Sequence, residues 1–153
     1  MFFLDSSALV KRYLAEVGST WVAALCDPNS GNTIVLAAIT RVEVAAALAS
    51  RQRANTGMRV EERERLFRLL VEHATNEYTL IPLTVPLIDT AMQLTQRHRL
   101  RGYDAVQLAA ALDASRAATA AGLPSLTFVS ADGDLNAAAR AEGLQADDPN
   151  QHP

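Results

Sequence analysis

The stretch MFFLDSSALV (residues 1–10) places a carboxylate between two apolar segments. Residues 2–4 are typical of a short buried strand, and residues 6–16 have the apolar spacing of a helix. Asp5 lies between the two, followed by two serines that are each suitable as the N-cap of the helix. Moving a carboxylate out of water costs on the order of several kcal/mol. Asp5 therefore needs a partner that offsets this cost, and the rest of the chain has to supply it.

Strand and helix patterns alternate along the remaining sequence. Further strands are predicted at 33–40, 78–84 and 126–130, and further helices at 20–26, 41–53, 59–75, 103–120 and 134–144, with one more helix starting near Pro86. This alternation predicts an α/β fold with a central parallel sheet of four or five strands flanked by helices. We expect a single domain over residues 1–145 and a polar, frayed tail over residues 146–153, preceded by at most one short edge strand.

The segment from 54 to 75 contains a break and then an amphipathic helix. ANTG (residues 54–57) predicts a turn, because glycine and asparagine punctuate helices. In the helix that follows, the residues predicted to face the core are Val60, Leu66, Phe67, Leu70 and Val71.

Composition excludes several classes of protein. Of the 153 residues, 49% are hydrophobic and 20% are charged, which suits a chain with its own core and not a disordered one. Asp5 and Lys11 interrupt the apolar start too early for a signal peptide, and no stretch reaches the roughly 20 apolar residues of a membrane span. Cys26 is the only cysteine, so we expect a protein of the reducing cytoplasm. A net charge of −3 means that nucleic acid would need a local basic patch.

Four acidic residues follow predicted strands or open predicted helices: Asp5, Glu43, Asp104 and Asp132. Binding sites of open α/β sheets lie at the carboxyl ends of the strands. Taken singly, each residue is explained at least as well as a helix cap or a first-turn acid, and Asp134 is a better cap for the last helix than Asp132. Four separate caps have no reason to converge on one end of a sheet, so their shared position favours a functional site.

The chemistry of such a cluster is constrained by charge. Neighbouring carboxylates take up protons unless a cation neutralises them, and hard oxygen ligands select Mg²⁺ or Mn²⁺. His73, His98 and His152 lack the spacing of a zinc site, and the chain has neither a G-x-S-x-G elbow nor a glycine-rich phosphate loop. Metal-assisted cleavage of a phosphodiester bond is therefore the predicted chemistry.

Four motifs resemble those of PIN-domain ribonucleases, most closely the VapC-type toxins of bacterial toxin–antitoxin pairs. They are FFLDSSALVKRY (2–13), TRVEVAAAL (40–48), RGYDAVQLAAAL (101–112) and FVSADGDLNAAARAEGL (128–144). The resemblance implies an endoribonuclease whose acidic pocket, formed by Asp5, Glu43, Asp104 and Asp132, holds Mg²⁺ or Mn²⁺, with Ser6 and Ser130 in support. It also implies a homodimer and a small VapB-type antitoxin that fills the pocket. A metal would then be the partner that Asp5 needs.

Other interpretations remain open at this stage. A catalytically silent PIN-like module that only binds RNA or a protein is the main alternative to the enzyme. A receiver-like phosphorelay domain fits poorly, because the only lysine, Lys11, lies on the first helix and not on a late strand. The candidate RNA contacts are Lys11, Arg12, Arg41, Arg97, Arg99 and Arg101, for which an ordinary solvated surface is an equally good interpretation. An acidic pocket also predicts a cationic tip, most naturally an arginine, on the antitoxin.

Overall fold

Five short parallel strands form the centre of the molecule in a computed structural model that describes residues 1–54 and 57–152. The strands are β1 (Phe2–Leu4), β2 (Ile34–Ala37), β3 (Tyr78–Ile81), β4 (Thr127–Val129) and β5 (Gln145–Asp147). They pair in the order β3-β2-β1-β4-β5, and every pairing is parallel. The predicted α/β fold with a central parallel sheet is confirmed, with five strands.

Seven α-helices lie within the described ranges and connect or follow the strands. They are α1 (Ser6–Leu9), α2 (Ser19–Leu25), α3 (Thr40–Arg53), α4 (Val60–Asn76), α5 (Val85–Arg97), α6 (Gly102–Ala120) and α7 (Gly133–Ala141). Short 3-10 segments occur at Val10–Arg12, Pro28–Ser30 and Pro149–Gln151. The predicted turn at 54–57 includes residues 55 and 56, which lie outside the described residues. Among the helices that are described, none is long and apolar enough to cross a membrane.

Helices cover both faces of the sheet. Successive strand residues point to opposite faces, so Phe3 packs with α5, α6 and α7 while Leu4 packs with α1, α2, α3 and α4. On the first face, Phe3 stacks on Phe128 with ring centroids 5.6 Å apart. Burial on both faces is the reason why the inner strands β1 and β2 have continuous apolar sequences.

The first helix is shorter than predicted. A helix was expected over 6–16, but α1 ends at Leu9 and only a 3-10 segment continues it to Arg12. The chain then turns toward α2, and Ser19 supplies the local hydrogen bonds. The Ser19 hydroxyl donates to the Leu14 carbonyl oxygen at 2.8 Å and accepts from the Glu16 amide at 2.8 Å.

Two further predictions about packing are wrong. On α4 only Leu66 and Leu70 of the expected inward residues are buried, whereas the exposed ones are Val60, Phe67 and Val71. The short edge strand expected near residue 145 is confirmed as β5, which pairs with β4, but the residues after it are not frayed, because the Pro149–Gln151 segment folds back on α2. There the His152 ring stacks on Trp21 with centroids 4.1 Å apart, a contact between the two ends of the chain that no local pattern indicates.

Candidate active site

The four acids predicted from the sequence lie at one edge of the sheet. Asp5 directly follows β1, Asp132 follows β4, and Glu43 lies in the first turn of α3, which follows β2. These three strands are neighbours, and the chain changes direction at β1, since β2 and β3 extend to one side and β4 and β5 to the other. A crevice at the carboxyl ends of the strands is expected at such a reversal. Asp104, in the first turn of α6, completes the set.

Electrostatic coupling connects all four carboxylates in a chain. Burial raises the pKa of Asp5, and the charge of Glu43 raises it further. The pKa of Glu43 is raised by burial and then by Asp104, and that of Asp104 by burial and then by Asp132. The structure therefore brings the four predicted residues together as one acidic cluster.

Asp5 is the most buried of these acids, with 3% of its surface exposed. Its Oδ1 accepts from the Ala8 amide at 2.8 Å and from the Ser7 hydroxyl at 2.8 Å, and its Oδ2 accepts from the Ser130 hydroxyl at 2.8 Å. These bonds favour the ionised form, but burial outweighs them and raises the pKa of Asp5 from 3.8 to about 6. Hydrogen bonds alone thus leave the cost of burying this charge only partly offset.

Two acids of the cluster, Asp5 and Asp132, also cap helices. The sequence favoured Ser6 or Ser7 as the cap of α1 and Asp134 as the cap of α7, and both expectations are wrong. Asp5 caps α1, and Asp132 caps α7 by accepting from the amides of residues 134 and 135 at 2.9 and 3.1 Å. Both cap bonds of Asp132 go to Oδ1, whereas Asp5 uses Oδ1 for the cap and Oδ2 to accept from the Ser130 hydroxyl.

Serine side chains tie the first helix to the end of β4. The predicted supporting residue Ser130 is fully buried and donates to Asp5, as described above. Ser7, which the sequence did not single out for the site, donates to the same carboxylate and accepts from the Ala131 amide at 2.8 Å. Ser6 lies close enough to Glu43 to lower the pKa of that carboxyl by hydrogen bonding. The contact of Ser7 with Ala131 depends on the pairing of β1 with β4, so the sequence alone does not indicate it.

Glu43 has a second partner that the sequence did not indicate. The Gln107 amide nitrogen donates to Glu43 Oε2 at 2.6 Å. Gln107 lies on α6, one helical turn after Asp104, so both side chains project from the same side of that helix. Its position within an alanine-rich motif gave no signal beyond the presence of a polar residue in an apolar run.

A polar cleft of about 460 Å³ opens beside the cluster. It is lined by Arg99, Leu100, Arg101, Asp104, Asp132 and Asp134. Of the six candidate RNA contacts, Arg99 and Arg101 are therefore the two that share a cleft with the acids. Arg101 also caps α6, where its backbone amide donates to Asp104 Oδ2 at 3.3 Å.

The other basic candidates are placed differently. Lys11 is buried and its ammonium donates to the Val17 carbonyl oxygen at 2.9 Å. Arg12 pairs with Glu77 at 2.7 Å and with the Tyr78 hydroxyl, at the amino end of β3, which is the far edge of the sheet. Lys11 and Arg12, two of the candidate RNA contacts, are engaged in these bonds, and neither of them lines the cleft beside the acids.

Two arginines remain among those candidates. Arg41 is exposed in the same turn of α3 as Glu43, and its Nε donates to the Ala38 carbonyl oxygen at 3.2 Å. Arg97, at the end of α5, is half-exposed and pairs with Glu142 at 3.0 Å. Arg41 is thus near the cluster, whereas Arg97 is engaged with α7 and its following turn.

The donor set suits a hard divalent cation. Within residues 1–54 and 57–152, no three Asp, Glu, His or Cys side chains form a ready-made metal cage. Mg²⁺ rarely needs one, since it keeps several waters and binds through one or two carboxylates together with substrate phosphate. Burial raises the pKa of Asp5, Glu43 and Asp104, and a neighbouring carboxylate raises each further, so a bound cation would stabilise their ionised forms.

Comparison with known proteins identifies the relatives of this chain. The PIN domain model matches residues 2–141. Ribonucleases VapC45 and VapC49, both of Mycobacterium tuberculosis, are each 32% identical over 145 residues, which covers 95% of this chain and 93% of theirs.

Two solved structures share the fold. One is VapC20 of Mycobacterium tuberculosis, a Sarcin-Ricin loop cleaving toxin, with a TM-score of 0.59, 15% identity and coverage of 94% of this chain and 96% of that one. The other is PAE2754 from Pyrobaculum aerophilum, with a TM-score of 0.60, 18% identity and coverage of 99% of this chain and 92% of that one.

Proposed function

Because the chain belongs to the PIN-domain family, we propose that it is an endoribonuclease toxin that cleaves RNA phosphodiester bonds with the help of Mg²⁺ or Mn²⁺. Its similarity to VapC ribonucleases along 95% of its length supports RNA as the substrate. The single observation that carries the proposal is the coupled acidic cluster at the switch point of the sheet, where the pKa of each of three buried or half-buried acids is raised.

The residues that would hold the cation are Asp5, Glu43, Asp104 and Asp132. When bound, the cation supplies positive charge at the scissile phosphate and acidity to nearby water. Ser7 and Ser130 hold the Asp5 carboxylate in one orientation by donating to it from two sides. Burial raises the pKa of Glu43, which favours its protonated form more than in water and makes it a candidate proton acceptor in the reaction.

The cleft beside the cluster is our proposed path for the RNA backbone. Arg99 and Arg101 line it, and a guanidinium group binds phosphate oxygens in pairs. Arg41 extends the basic rim along α3. Replacing Arg99 or Arg101 should weaken RNA binding uniformly across sequences, since phosphate contacts carry no sequence information.

A small antitoxin is the proposed inhibitor, with an amphipathic segment in the apolar groove between α3 and α4. This groove, of about 300 Å³, is lined by Arg41, Val42, Ala45, Phe67, Leu70, Val71, Ala74 and Thr75. Val42 is 61% exposed and adjacent in sequence to Glu43, so a segment in the groove ends next to the acids. An arginine at its tip would pair with the carboxylates in place of the cation. The antitoxin should then compete with Mg²⁺ and raise the melting temperature of the toxin.

A homodimer is the proposed assembly, and the face between α5 and α6 is the surface we assign to it. Met92 and Tyr103 are 63% and 60% exposed there, beside a second apolar groove of about 350 Å³. Met92→Glu should shift the protein to a monomer in light scattering. A variant that remains dimeric would exclude this face.

Expression in cells tests the toxin proposal. The wild-type chain alone should arrest growth, the Asp5→Asn chain should not, and co-expression with the neighbouring small reading frame should restore growth and give a complex in pull-down. If the wild-type chain is harmless alone and no small partner co-purifies, the toxin proposal fails. A silent PIN-like module that only binds RNA or a protein would then be the better interpretation.

A further inference from the structure

Gln107 is an almost fully buried polar residue in an otherwise apolar helix face. Only 1% of its surface is exposed, and its neighbours on α6 include the buried residues Ala105 and Leu108. Burying an amide is unfavourable unless its groups are hydrogen-bonded. Leucine would fill a similar volume at no such cost, so packing alone does not account for glutamine at this position.

Both ends of the Gln107 amide have partners. The nitrogen donates to Glu43 Oε2 at 2.6 Å, and the oxygen accepts from the Thr40 hydroxyl at 2.9 Å. Thr40 is itself fully buried and opens α3, the helix that also carries Glu43. Three side chains thus form a relay, Thr40 to Gln107 to Glu43, which we call the Gln107 relay.

Chemistry fixes the orientation of this amide. An ionised carboxylate only accepts hydrogen bonds, so the group that faces Glu43 must be the amide nitrogen. The oxygen then faces Thr40, whose hydroxyl can donate to it. Thr40 and Gln107 are excluded from water, so the bond between them has no competitor, and a turned amide would place oxygen against oxygen at Glu43.

We infer that Gln107 is a positioning residue, which holds the Glu43 carboxylate toward Asp104 in the orientation needed to bind the divalent cation. This inference rests on the proposed function of the acidic cluster. Asp104 and Gln107 lie one turn apart on α6, so one helix presents both an acid that couples to Glu43 and the donor that restrains Glu43. Two like charges that would otherwise turn apart are thereby kept on the same side of the crevice.

A neutral donor is the suitable group for this task. An arginine or lysine in place of Gln107 would also bind Glu43, but its charge would neutralise the carboxylate and compete with Mg²⁺. The amide restrains the carboxylate and leaves its negative charge available to the cation. Residues of this type, one step removed from the metal, commonly change metal affinity or activity by about 10- to 100-fold when they are replaced.

Four variants test the Gln107 relay. Gln107→Leu removes both hydrogen bonds and keeps the volume. Thr40→Val removes only the donor that orients the amide, and Thr40→Ser restores that donor. Gln93→Leu, on the exposed side of α5, is the matched surface control.

The primary readout is Mn²⁺ binding to the metal-free protein by calorimetry, alongside melting temperature and the rate of RNA cleavage. We expect Gln107→Leu to weaken Mn²⁺ binding by about 10- to 100-fold in a protein that still folds, with a lower melting temperature because the buried Thr40 hydroxyl loses its acceptor. Thr40→Val should lose affinity in the same direction, and Thr40→Ser should recover it. The double variant Gln107→Leu with Thr40→Val should be no weaker than Gln107→Leu alone, because both changes remove one relay.

The inference and the proposed function fail differently. Wild-type Mn²⁺ affinity in Gln107→Leu, or no recovery of affinity in Thr40→Ser, would overturn the inference while wild-type RNA cleavage still supports the enzyme. Loss of Mn²⁺ affinity together with loss of folding in both Gln107→Leu and Thr40→Val would assign a structural role to the relay and also overturn it. If the wild-type protein binds Mn²⁺ and the relay variants weaken that binding as expected, but the wild type cleaves no RNA, the proposed function fails and the inference stands.

Discussion

Replacing Asp5 with asparagine is expected to stabilise the metal-free protein and at the same time abolish RNA cleavage. Asp5 is 3% exposed, and burial raises its pKa from 3.8 to about 6. An ionised Asp5 therefore lowers stability at neutral pH, whereas asparagine has the same shape and no charge. The asparagine oxygen can still accept from the Ala8 amide, and its nitrogen can donate to the Ser130 hydroxyl, so most of the local hydrogen bonds survive.

The shift of the Asp5 pKa sets the size and the sign of the effect. About two pKa units correspond to about 3 kcal/mol. The folded-state pKa lies above the unfolded-state value, so the native protein binds more protons between about pH 4 and pH 6, and stability falls as pH rises through that window. The advantage of asparagine should therefore be about 3 kcal/mol at pH 7.5 and about 1 kcal/mol at pH 4.5.

Urea unfolding of chelator-treated protein at these two pH values measures the difference. Asp89→Asn, at an exposed position of α5, is the matched control and should change the free energy of unfolding by less than about 0.5 kcal/mol. Added Mg²⁺ should stabilise the wild type more than Asp5→Asn, because the variant has lost one ligand. RNA cleavage by Asp5→Asn should fall by about 100-fold or more.

Two results would refute this reasoning. If Asp5→Asn is less stable than the wild type at pH 7.5, or gains equally at both pH values, Asp5 is a structural cap and not a strained charge. If the variant cleaves RNA at the wild-type rate, Asp5 is not part of the metal site.

Asp104→Asn should reduce RNA cleavage by about 100-fold or more with an unchanged far-UV circular dichroism spectrum, and unchanged cleavage would remove Asp104 from the site. Burial, and then the charge of a nearby arginine, lowers the pKa of His73 from 6.5 in the folded protein. As the pH falls, His73 therefore becomes protonated in the unfolded chain before it does in the folded protein. The contribution of His73 to stability is thus present above about pH 6.5 and lost below it; urea unfolding of His73→Gln should show a flatter pH dependence, and an unaltered slope would contradict the assignment. Gly18→Ala should lower stability by more than about 1 kcal/mol, because its Cβ would lie 2.1 Å from the Pro149 carbonyl oxygen. Gly31→Ala has a positive φ but open space, so in thermal unfolding it should lose less, and equal losses would show that the contact with Pro149 is easily relieved.

The main features of the fold follow from local patterns in the sequence. The charge-free run at 33–40 contains β2, and the residues predicted as helix at 41–53 match α3 to within one residue. The acids could be found because strand ends in a parallel sheet share one edge, so Asp5 and Glu43 are neighbours although they are far apart in sequence. Locating the acids at the carboxyl ends of the strands did not require knowledge of the order of the strands in the sheet.

The failures have a common physical cause, which is contact between residues distant in the chain. Ser7 reaches Ser130 and Ala131 only through the pairing of β1 with β4, and Gln107 meets Glu43 only because α6 packs against β2, the strand that leads into α3. The burial of Lys11 likewise depends on where the short α1 ends. Periodicity describes one element at a time and contains no information about such contacts.

Cleavage of RNA by the purified chain, with Mg²⁺ and with a chelator, tests the central claim most directly. A panel of transfer and ribosomal RNAs should yield discrete fragments with the wild-type protein and Mg²⁺. Fragments should be absent with the chelator and return when Mn²⁺ or Mg²⁺ is restored, and Asp5→Asn should give none under any of these conditions. Cleavage that persists in the chelator, or in Asp5→Asn protein, would contradict a metal-dependent ribonuclease built on this acidic cluster.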